Sequence, residues 1–476
     1  MIPTTLDTRA EVRRLFDAQV ANRWAIAGST ASQRVERLTR LRDAVRAHRL
    51  ELVEAIQADF GKPAVETELT EYLPVIEELT VAIRQLAGWM RPRRVGTPVT
   101  LLGSRSEIRH EAKGVVLVVA AWNYPFGLAL APVVAALAAG NTVMLRPSEK
   151  TPRTARFIHD LLGKVFPENE VAVLEGELPV AEALLELPFD HILFTGSARI
   201  GRKVMAAAAR HLTPVTLELG GKSPAIVDET ADLELAATRL AWSKFINAGQ
   251  TCLAPDYVLV QESVAPRLEA ALRAAVERLY GVDEETRLRS SDLACLVDGA
   301  SVGRLERAVA ETLARGARVV VGGRADGAGR RMSPTVLADV PDDSAIMAEE
   351  IFGPVLPLLR YRDLGEVIRR IRARPKPLGL YVFSRSRAQV EEVLGATSAG
   401  GTCINNALLH YANTNLPFGG VGESGMGSYH GRWGFEALSH ARAVVRQVTW
   451  AGTSLFYPPY SPRVVRLLSM LRRLVG

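Results

Sequence analysis

The sequence has few cysteines, and this scarcity restricts the class of protein. Cys252, Cys295 and Cys403 are the three cysteines of a chain of 476 residues. Because an odd and sparse set does not form a disulfide framework, we expect a reducing compartment. His410 and His430 lack metal-ligand spacing from other cysteines or histidines, so the sequence predicts no metal site.

The chain also lacks runs of one charge and an apolar leader. Its formal net charge is +6, from 58 basic and 52 acidic residues. No basic run alternates with aromatics, so the charge indicates solubility and no nucleic-acid partner. Residues 1–24 carry charges throughout and lack the apolar centre of a signal peptide. We therefore expect a cytoplasmic protein.

One uncharged run, residues 115–139, is long enough to cross a bilayer. Its internal order predicts a different structure. The β-branched stretch Val115–Val119 is typical of a buried parallel strand, and Trp122-Asn-Tyr-Pro125 interrupts it. An alanine- and leucine-rich segment then leads to Gly140-Asn141, a good helix end. The run therefore predicts a strand and helix buried inside a globular protein.

Strand–helix alternation predicts an α/β fold with more than one domain. Residues from about 5 to 91 show helical spacing, whereas residues 114–217 alternate strands and helices, as in a doubly wound sheet. The alternation repeats from residue 218 to about 400, which predicts a second α/β domain. The predicted strands are Val115–Val119, Thr142–Leu145, Val171–Leu174, His191–Phe194, Ala225–Val227, Tyr257–Val260, Arg318–Val321, Pro334–Val336 and Gly379–Phe383.

Cys252 is the candidate nucleophile. It ends a small-residue turn that follows the amphipathic segment Ala236–Phe245, and Gly249 would allow a close backbone approach. Backbone N–H groups of such a turn can face a developing oxyanion. The alternative is a buried, inert cysteine.

Glu218 is the candidate general base. Leu217 and Leu219 flank it, and Gly220-Gly221 follows. A carboxylate in apolar surroundings has a raised pKa, which suits it to take a proton near neutral pH. This second feature favours a catalytic role for Cys252 over an inert one.

Seven motifs occur in an order typical of one enzyme family. They are Trp122-Asn-Tyr-Pro125, Arg146-Pro-Ser-Glu149, Phe194-Thr-Gly-Ser197, Glu218-Leu-Gly-Gly-Lys222, Gly249-Gln-Thr-Cys252, Glu349-Glu-Ile-Phe-Gly-Pro354 and Leu416-Pro-Phe-Gly-Gly420. From about residue 10 to about residue 460 the chain resembles the aldehyde dehydrogenases. Its carboxyl-terminal third resembles the class 3 branch, which acts on fatty and aromatic aldehydes, although Ile404-Asn-Asn406 lacks the aspartate usual in relatives.

The resemblance implies the domain organisation and the assembly. It implies a doubly wound Rossmann-like cofactor domain, a second α/β catalytic domain, a small β oligomerisation arm and a homodimer. The expected segments are 1–91 and 110–217 for NAD binding, 218–400 for catalysis, 92–109 and 401–449 for oligomerisation or bridging, and 450–476 for a carboxyl-terminal tail.

The resemblance also implies the reaction. Cys252 attacks a small-molecule aldehyde, while Asn123 and the Cys252 N–H hold the oxyanion. A thioester follows, and Glu218 activates the water that hydrolyses it to the carboxylic acid. Two alternatives stay open, namely transfer of the acyl group to coenzyme A and a retired homologue that serves as a structural or binding protein.

NAD is the expected cofactor, with NADP as the alternative. Arg146 stands where the family usually has lysine, and the resemblance assigns it and Glu149 to the adenosine ribose, where Glu149 would repel a 2′-phosphate. It assigns Ser197 to the pyrophosphate and Glu350 to the nicotinamide ribose. Taken alone, the spacing from Gly196 to Gly201 is more commonly that of an ordinary strand-to-helix turn. The full expected set is Trp122, Arg146, Glu149, Gly196, Ser197, Gly201, Glu350 and Phe352.

The tail carries a predicted amphipathic helix. Ser461-Pro462 is a good helix start, and arginines then recur opposite leucines and valines. The remaining 14 positions reach only about 21 Å, short of a bilayer core of about 30 Å. Two placements remain, a helix docked on its own protein and a helix lying in a membrane surface.

Overall fold

Two largely parallel β-sheets form the frame of the chain. The computed structural model describes residues 5–98, 101, 103–449 and 457–475. The predicted helical region precedes the sheets, and a π-helical turn, Glu68–Tyr72, joins its fourth helix to its fifth. Its helices are α1 (Thr5–Ala27), α2 (Ala31–Ala47), α3 (Arg49–Phe60), α4 (Ala64–Thr67) and α5 (Leu73–Trp89).

The first sheet has six strands. Its elements follow the antiparallel strands β1 (Arg93–Val95) and β2 (Ser104–Ala112), and they are β3 (Val115–Val119), α6 (Gly127–Ala139), β4 (Thr142–Arg146), α7 (Pro152–Val165), β5 (Val171–Val173), α8 (Leu178–Leu185), β6 (His191–Thr195), α9 (Ala198–Ala209) and β7 (Val215–Glu218). The order is β7-β6-β3-β4-β5, all parallel, with a later two-residue strand antiparallel to β7. This is a doubly wound sheet, which binds ligands at the carboxyl ends of its strands.

The second sheet has seven strands and begins directly after β7. Its elements are β8 (Pro224–Val227), α10 (Leu233–Phe245), β9 (Tyr257–Gln261), α11 (Ala265–Tyr280), α12 (Glu284–Arg289), α13 (Gly299–Ala314), β10 (Arg318–Val321), the hairpin β11 (Ala325–Asp326) and β12 (Arg331–Met332), β13 (Thr335–Ala338), α14 (Ala345–Ala348), β14 (Val355–Tyr361), α15 (Leu364–Arg372), β15 (Gly379–Phe383), α16 (Arg387–Ala396) and β16 (Gly401–Ile404). The order is β10-β13-β14-β9-β8-β15-β16, and only β10 runs antiparallel to its neighbour.

The rest of the described chain supports the two sheets and forms an arm. It contains β17 (Gly425–Met426), which pairs with β7, α17 (Gly431–Ala437), β18 (Ser439–Gln447) and α18 (Pro462–Val475). The arm is the antiparallel sheet β1-β2-β18, whose longest pairing joins β2 to β18 over their whole lengths. Because β16 belongs to the seven-stranded sheet, that sheet extends past residue 400.

The predicted α/β class is confirmed, and each predicted strand occurs within two residues of its expected bounds. The uncharged run 115–139 forms β3 and α6, both almost wholly buried. Within the described ranges, no helix combines the length and the apolar character needed to cross a membrane. Two strands of the second sheet, β14 and β16, were not predicted.

Candidate active site

Cys252 lies on a tight loop between α10 and β9. Asn247, Ala248 and Gly249 have positive φ angles of 54°, 51° and 72°, a conformation that is costly for a residue with a side chain. A Cβ on Gly249 would come within 2.2 Å of the Gly353 carbonyl oxygen, so that position requires glycine. The loop leads to Cys252, whose side chain lines a cavity.

Asn123 lies against the Cys252 loop. It follows the carboxyl end of β3, and its side-chain Nδ2 donates a hydrogen bond to the Gln250 carbonyl oxygen at 3.1 Å. In return, the Asn247 side chain donates to the Asn123 carbonyl oxygen at 2.8 Å. An amide nitrogen carries two hydrogens. The structure therefore brings together the predicted oxyanion donor and the predicted nucleophile.

Glu218 ends β7 and is buried. Neither of its carboxylate oxygens has a hydrogen-bond partner among the described residues. Burial without a compensating partner raises the pKa of Glu218 well above its ordinary value. A carboxyl group with a raised pKa binds a proton more strongly than an exposed one, so its ionised form is a stronger general base.

The Cys252 thiol shares this apolar environment. Burial raises the pKa of Cys252 above its ordinary range, and the carboxylates of Glu350 and Glu218 raise it further. Burial also raises the pKa of Glu350 to about 8. A Cβ on Gly220 would come within 2.0 Å of a Glu350 oxygen, which explains the glycine. Cys252, Glu218 and Glu350 therefore form one electrostatically connected group.

Arg146 and Glu149 lie at the carboxyl end of β4. Arg146 Nη2 donates to Glu149 Oε2 at 2.7 Å and to the Gly176 carbonyl oxygen at 3.0 Å. Its Nε atom is buried without a partner in the described part of the chain, and so is the hydroxyl of Thr195 at the end of β6. Unpartnered polar atoms at this edge of a doubly wound sheet fit a polar ligand such as a dinucleotide.

The turn after β6 has the form of a phosphate site. Ser197 is the N-cap residue of α9, and its side-chain oxygen accepts a hydrogen bond from the Ile200 N–H. A Cβ on Gly201 would come within 2.7 Å of Leu219, and one on Gly196 within 2.5 Å of the Phe194 ring. These glycines allow close packing, and the free N–H groups that begin a helix favour an anion.

Trp122 and Phe352 complete the predicted set. Their rings meet edge to face, with centroids 5.4 Å apart. The ammonium group of Lys150 lies 5.7 Å from the centre of the Trp122 ring. The contact joins the loop after β3 to the loop before β14, so it spans the two sheets. Most of the predicted cofactor residues thus lie at or after the carboxyl ends of β3, β4 and β6, whereas Glu350 and Phe352 lie in the loop before β14.

An apolar cavity of about 260 Å³ opens beside Cys252. Sequence reasoning did not identify its walls, because they come from separate parts of the chain and carry no shared motif. The lining residues are Leu69, Thr70, Pro74, Tyr124, Leu128, Trp242, Ile246, Thr251, Cys252, Leu253, Leu408, Leu409, Tyr411, Ala412 and Phe418. Over the described ranges, no group of three or more histidine, cysteine or acidic residues could hold a metal ion.

Comparison with known proteins assigns the family. Residues 3–444 match the aldehyde dehydrogenase family. Aldehyde dehydrogenase family 3 member H1 of Arabidopsis thaliana is 41% identical over 462 residues, which cover 97% of this chain and 93% of the relative.

Solved structures agree with this assignment. The substrate-bound state of Staphylococcus aureus AldH has a TM-score of 0.92 and 40% identity, covering 97% of this chain and 99% of that one. An NAD⁺ complex of a Bacillus cereus aldehyde dehydrogenase has a TM-score of 0.83 and 29% identity, covering 93% and 89%. The chain therefore belongs to the aldehyde dehydrogenase family, resembles its class 3 members, and is an NAD(P)-dependent enzyme that oxidises aldehydes.

Proposed function

We propose that Cys252 carries the covalent chemistry of this oxidation, and that the substrate is an aldehyde with an apolar chain or ring. The observation behind this proposal is the cavity beside Cys252, whose wall consists mainly of leucine, isoleucine and aromatic side chains. Such a wall favours an apolar group by about 25 cal/mol for each Å² buried. The deeply buried Glu218 supplies the second reactive group.

The proposed reaction begins at the aldehyde carbon. Cys252 transfers its thiol proton to water, and its Sγ atom bonds to the carbonyl carbon as the C=O π electrons move to the oxygen, which becomes an oxyanion. One N–H of the Asn123 amide is bonded to Gln250, so the second is left for the oxyanion together with the Cys252 N–H. These donors stabilise charge that develops only during the reaction.

A bound nicotinamide ring supplies the hydride acceptor. Arg146, Glu149, Ser197, Gly201 and Glu350 would hold the dinucleotide at the edge of the first sheet, and Trp122, Gly196 and Phe352 would shape that site. Glu149 is ion-paired with Arg146 at 2.7 Å. Its carboxylate would repel a 2′-phosphate on the adenosine ribose, so we propose NAD as the preferred form.

Hydrolysis of the thioester on Cys252 completes the proposed cycle. The Glu218 carboxylate takes a proton from water, the hydroxide adds to the thioester carbonyl, and the C–S bond breaks to release the carboxylic acid. A coenzyme A acceptor would need no such base, so the buried, unpartnered Glu218 supports water as the acceptor.

Replacing Cys252 with serine tests the proposal. The variant should lose steady-state NADH production with any aldehyde, because a neutral hydroxyl is a much weaker nucleophile. Cys295→Ser is the matched control and should keep activity, since Cys295 lies outside the cavity lining. Near wild-type turnover by Cys252→Ser, or a strict requirement for coenzyme A, would contradict the proposal.

We also propose that two copies of the chain form a homodimer. Both β16, the edge of the seven-stranded sheet, and β18, the edge of the arm, have a side without a strand partner in the described chain. The nine residues of β18 are mostly exposed. Natural proteins rarely leave an edge of this length unpaired. Light scattering at micromolar concentration should give the mass of a dimer, and a monomer mass would contradict it.

We propose a peripheral contact between α18 and an anionic membrane surface in the cytoplasm. Val465 and Met470 are 62% and 57% exposed, while Val464 is buried, so these two apolar side chains are available for a contact outside the protein. Arg463 and Arg466 are exposed on the same helix, and its sequence has no acidic residue. Basic and apolar side chains on one helix suit an anionic interface.

Vesicle co-sedimentation tests the role of the tail. The full chain should bind vesicles that contain anionic lipid, and binding should weaken at high salt. A version that ends at Tyr460 should not bind. Equal behaviour of the two proteins would leave a helix docked on its own protein as the explanation.

A further inference from the structure

One short segment, residues 62–74, contacts both of the loops that carry the proposed oxyanion donors. Glu66, on α4, accepts a hydrogen bond through Oε2 from the Asn247 N–H at 2.9 Å. Glu71, in the π-helical turn, accepts through Oε2 from the N–H groups of Phe126 and Gly127, at 2.9 and 3.1 Å. The first contact holds the Cys252 loop, and the second holds the loop that contains Asn123.

A third set of contacts, which begins at Lys62, joins the same segment to both loops. Lys62 Nζ lies 2.8 Å from Glu71 Oε1, and both side chains are fully buried. The ammonium group also lies 4.0 Å from the centre of the Tyr124 ring. The Tyr124 hydroxyl is 2.6 Å from the hydroxyl of Thr251, the residue before Cys252. Separating a buried ion pair costs much free energy, so the Lys62–Glu71 pair holds this set of contacts in place.

The same segment also forms part of the wall of the proposed substrate cavity. Leu69, Thr70 and Pro74 line the cavity wall. Leu69 and Thr70 lie between the two glutamates, and Pro74 follows Glu71 by three residues. The Thr70 hydroxyl donates to the Glu66 carbonyl oxygen at 2.6 Å. A π-helical turn is rare, and such turns occur frequently at functional sites. One short segment therefore touches the space for the substrate and both sides of the oxyanion site.

We propose that residues 62–74 form a positioning clamp, in which Glu66 and Glu71 set the distance between the Asn123 amide and the Cys252 N–H. The clamp rests on the proposed function, since it acts through those two donors. Its residues do not touch the reacting atoms. They hold the loops whose residues do touch the reacting atoms. An aldehyde that contacts Leu69 or Thr70 would therefore affect the position of the oxyanion donors.

The Asn247 contact is the most sensitive part of the clamp. Asn247 and Ala248 hold left-handed backbone conformations, which persist only when the surroundings over-determine them. Without the Glu66 acceptor, the buried Asn247 N–H loses its partner and the turn can relax. A shift of about 1 Å at a catalytic group can cost about 100-fold in rate.

A double-mutant cycle between Glu66 and Asn123 tests the clamp. The measured quantity is the pre-steady-state rate of NADH formation at saturating aldehyde, with KM measured alongside. Glu66→Ala should slow this step by about 10- to 100-fold with little change in KM. Glu66→Gln keeps an acceptor oxygen and should recover most of the rate.

The cycle separates positioning from general weakening of the fold. If Glu66 acts only by setting the distance between the Asn123 amide and the Cys252 N–H, then Glu66→Ala combined with Asn123→Ala should be no more than about threefold slower than Asn123→Ala alone. Multiplicative losses would overturn the clamp. A wild-type rate for Asn123→Ala by itself would instead contradict the proposed function.

Glu78→Ala is the matched structural control. Glu78 lies on α5 and accepts one backbone hydrogen bond, from Gly431 at 2.9 Å, so its loss should lower thermal stability but leave the rate within about threefold. An equal loss of rate in this control would overturn the clamp. If Glu66→Ala does not fold, Tyr124→Phe, which removes only the hydroxyl contact with Thr251, enters the same cycle with the same expected non-additivity.

Discussion

Replacing Glu218 with glutamine isolates one proton transfer of the proposed cycle. The side chain is 2% exposed, and neither carboxylate oxygen has a hydrogen-bond partner in the described part of the chain. Glutamine has the same shape, so the substitution removes no bond seen in the structure. A lower turnover rate would therefore result from the loss of the general base. In thermal denaturation, the variant should be at least as stable as the wild type.

The expected magnitude follows from the role of a general base. Such a group contributes about 10²- to 10⁴-fold to a rate, which corresponds to about 3 to 5 kcal/mol of activation free energy. In the proposed cycle this loss falls on hydrolysis, after the hydride has left. Stopped-flow measurement should show a burst of about one NADH per subunit followed by slow turnover, as expected when an acyl-enzyme accumulates.

Two results would refute this reasoning. Uninterrupted turnover near the wild-type rate would remove Glu218 from the reaction. Loss of the burst together with the turnover would place the need for Glu218 before thioester formation, at removal of the Cys252 proton. Mass spectrometry of the intact protein should detect the acyl group on the Glu218→Gln variant and not on Cys252→Ser.

Three further predictions follow from the packing and the pKa shifts. Burial raises the pKa of Glu78 to about 7, so between about pH 4.5 and pH 7 the folded state holds a proton that the unfolded state releases. The free energy of unfolding should therefore fall as pH rises, by up to about 1.4 kcal/mol per pH unit. Urea unfolding of Glu78→Gln should give a shallower dependence of this free energy on pH, and an unchanged dependence would contradict the assignment. Straight-chain aldehydes should gain about fourfold in kcat/KM for each added methylene while the cavity fills, and a flat series would exclude an apolar chain from this cavity. Gly249→Ala should destabilise the protein by about 2 kcal/mol or more, measured by urea unfolding, because its Cβ would clash with the Gly353 carbonyl oxygen. Gly88→Ala is the control, since its Cβ would meet no described atom within 4 Å apart from its own helix backbone and chain neighbours.

Contiguous features of the sequence predicted the sheets well. The β-branched stretch Val115–Val119 and the glycine at residue 140 give the strand and the helix end directly, because each depends on neighbouring residues. The strand Val355–Tyr361 was missed. It contains Pro357, which argues against a central strand because it cannot donate a ladder hydrogen bond. In the structure Pro357 pairs with Leu337 in a parallel ladder, so the tertiary context overrides the local signal.

The site could be predicted only where one motif holds the reactive residue. Cys252, Glu218 and Asn123 each lie in a recognisable stretch, and the structure brings Asn123 and the Cys252 loop within hydrogen-bond distance. The cavity wall could not be predicted, because residues such as Leu69, Trp242 and Phe418 become neighbours only after folding. Substrate preference therefore depends on the part of the site with the weakest sequence signal.

The glutamates of the clamp show why helical periodicity alone is insufficient. In a regular α-helix, residues five apart are separated by about 1.4 turns and face different directions. By that rule Glu66 and Glu71 would appear to be unrelated acidic residues. The turn Glu68–Tyr72 is π-helical, and its i to i+5 hydrogen bonds bring residues five apart close to the same face. Glu66 lies just before this turn and Glu71 lies within it, and their carboxylates contact the two loops that carry the proposed oxyanion donors. Helix propensities applied to the sequence would not have predicted the turn.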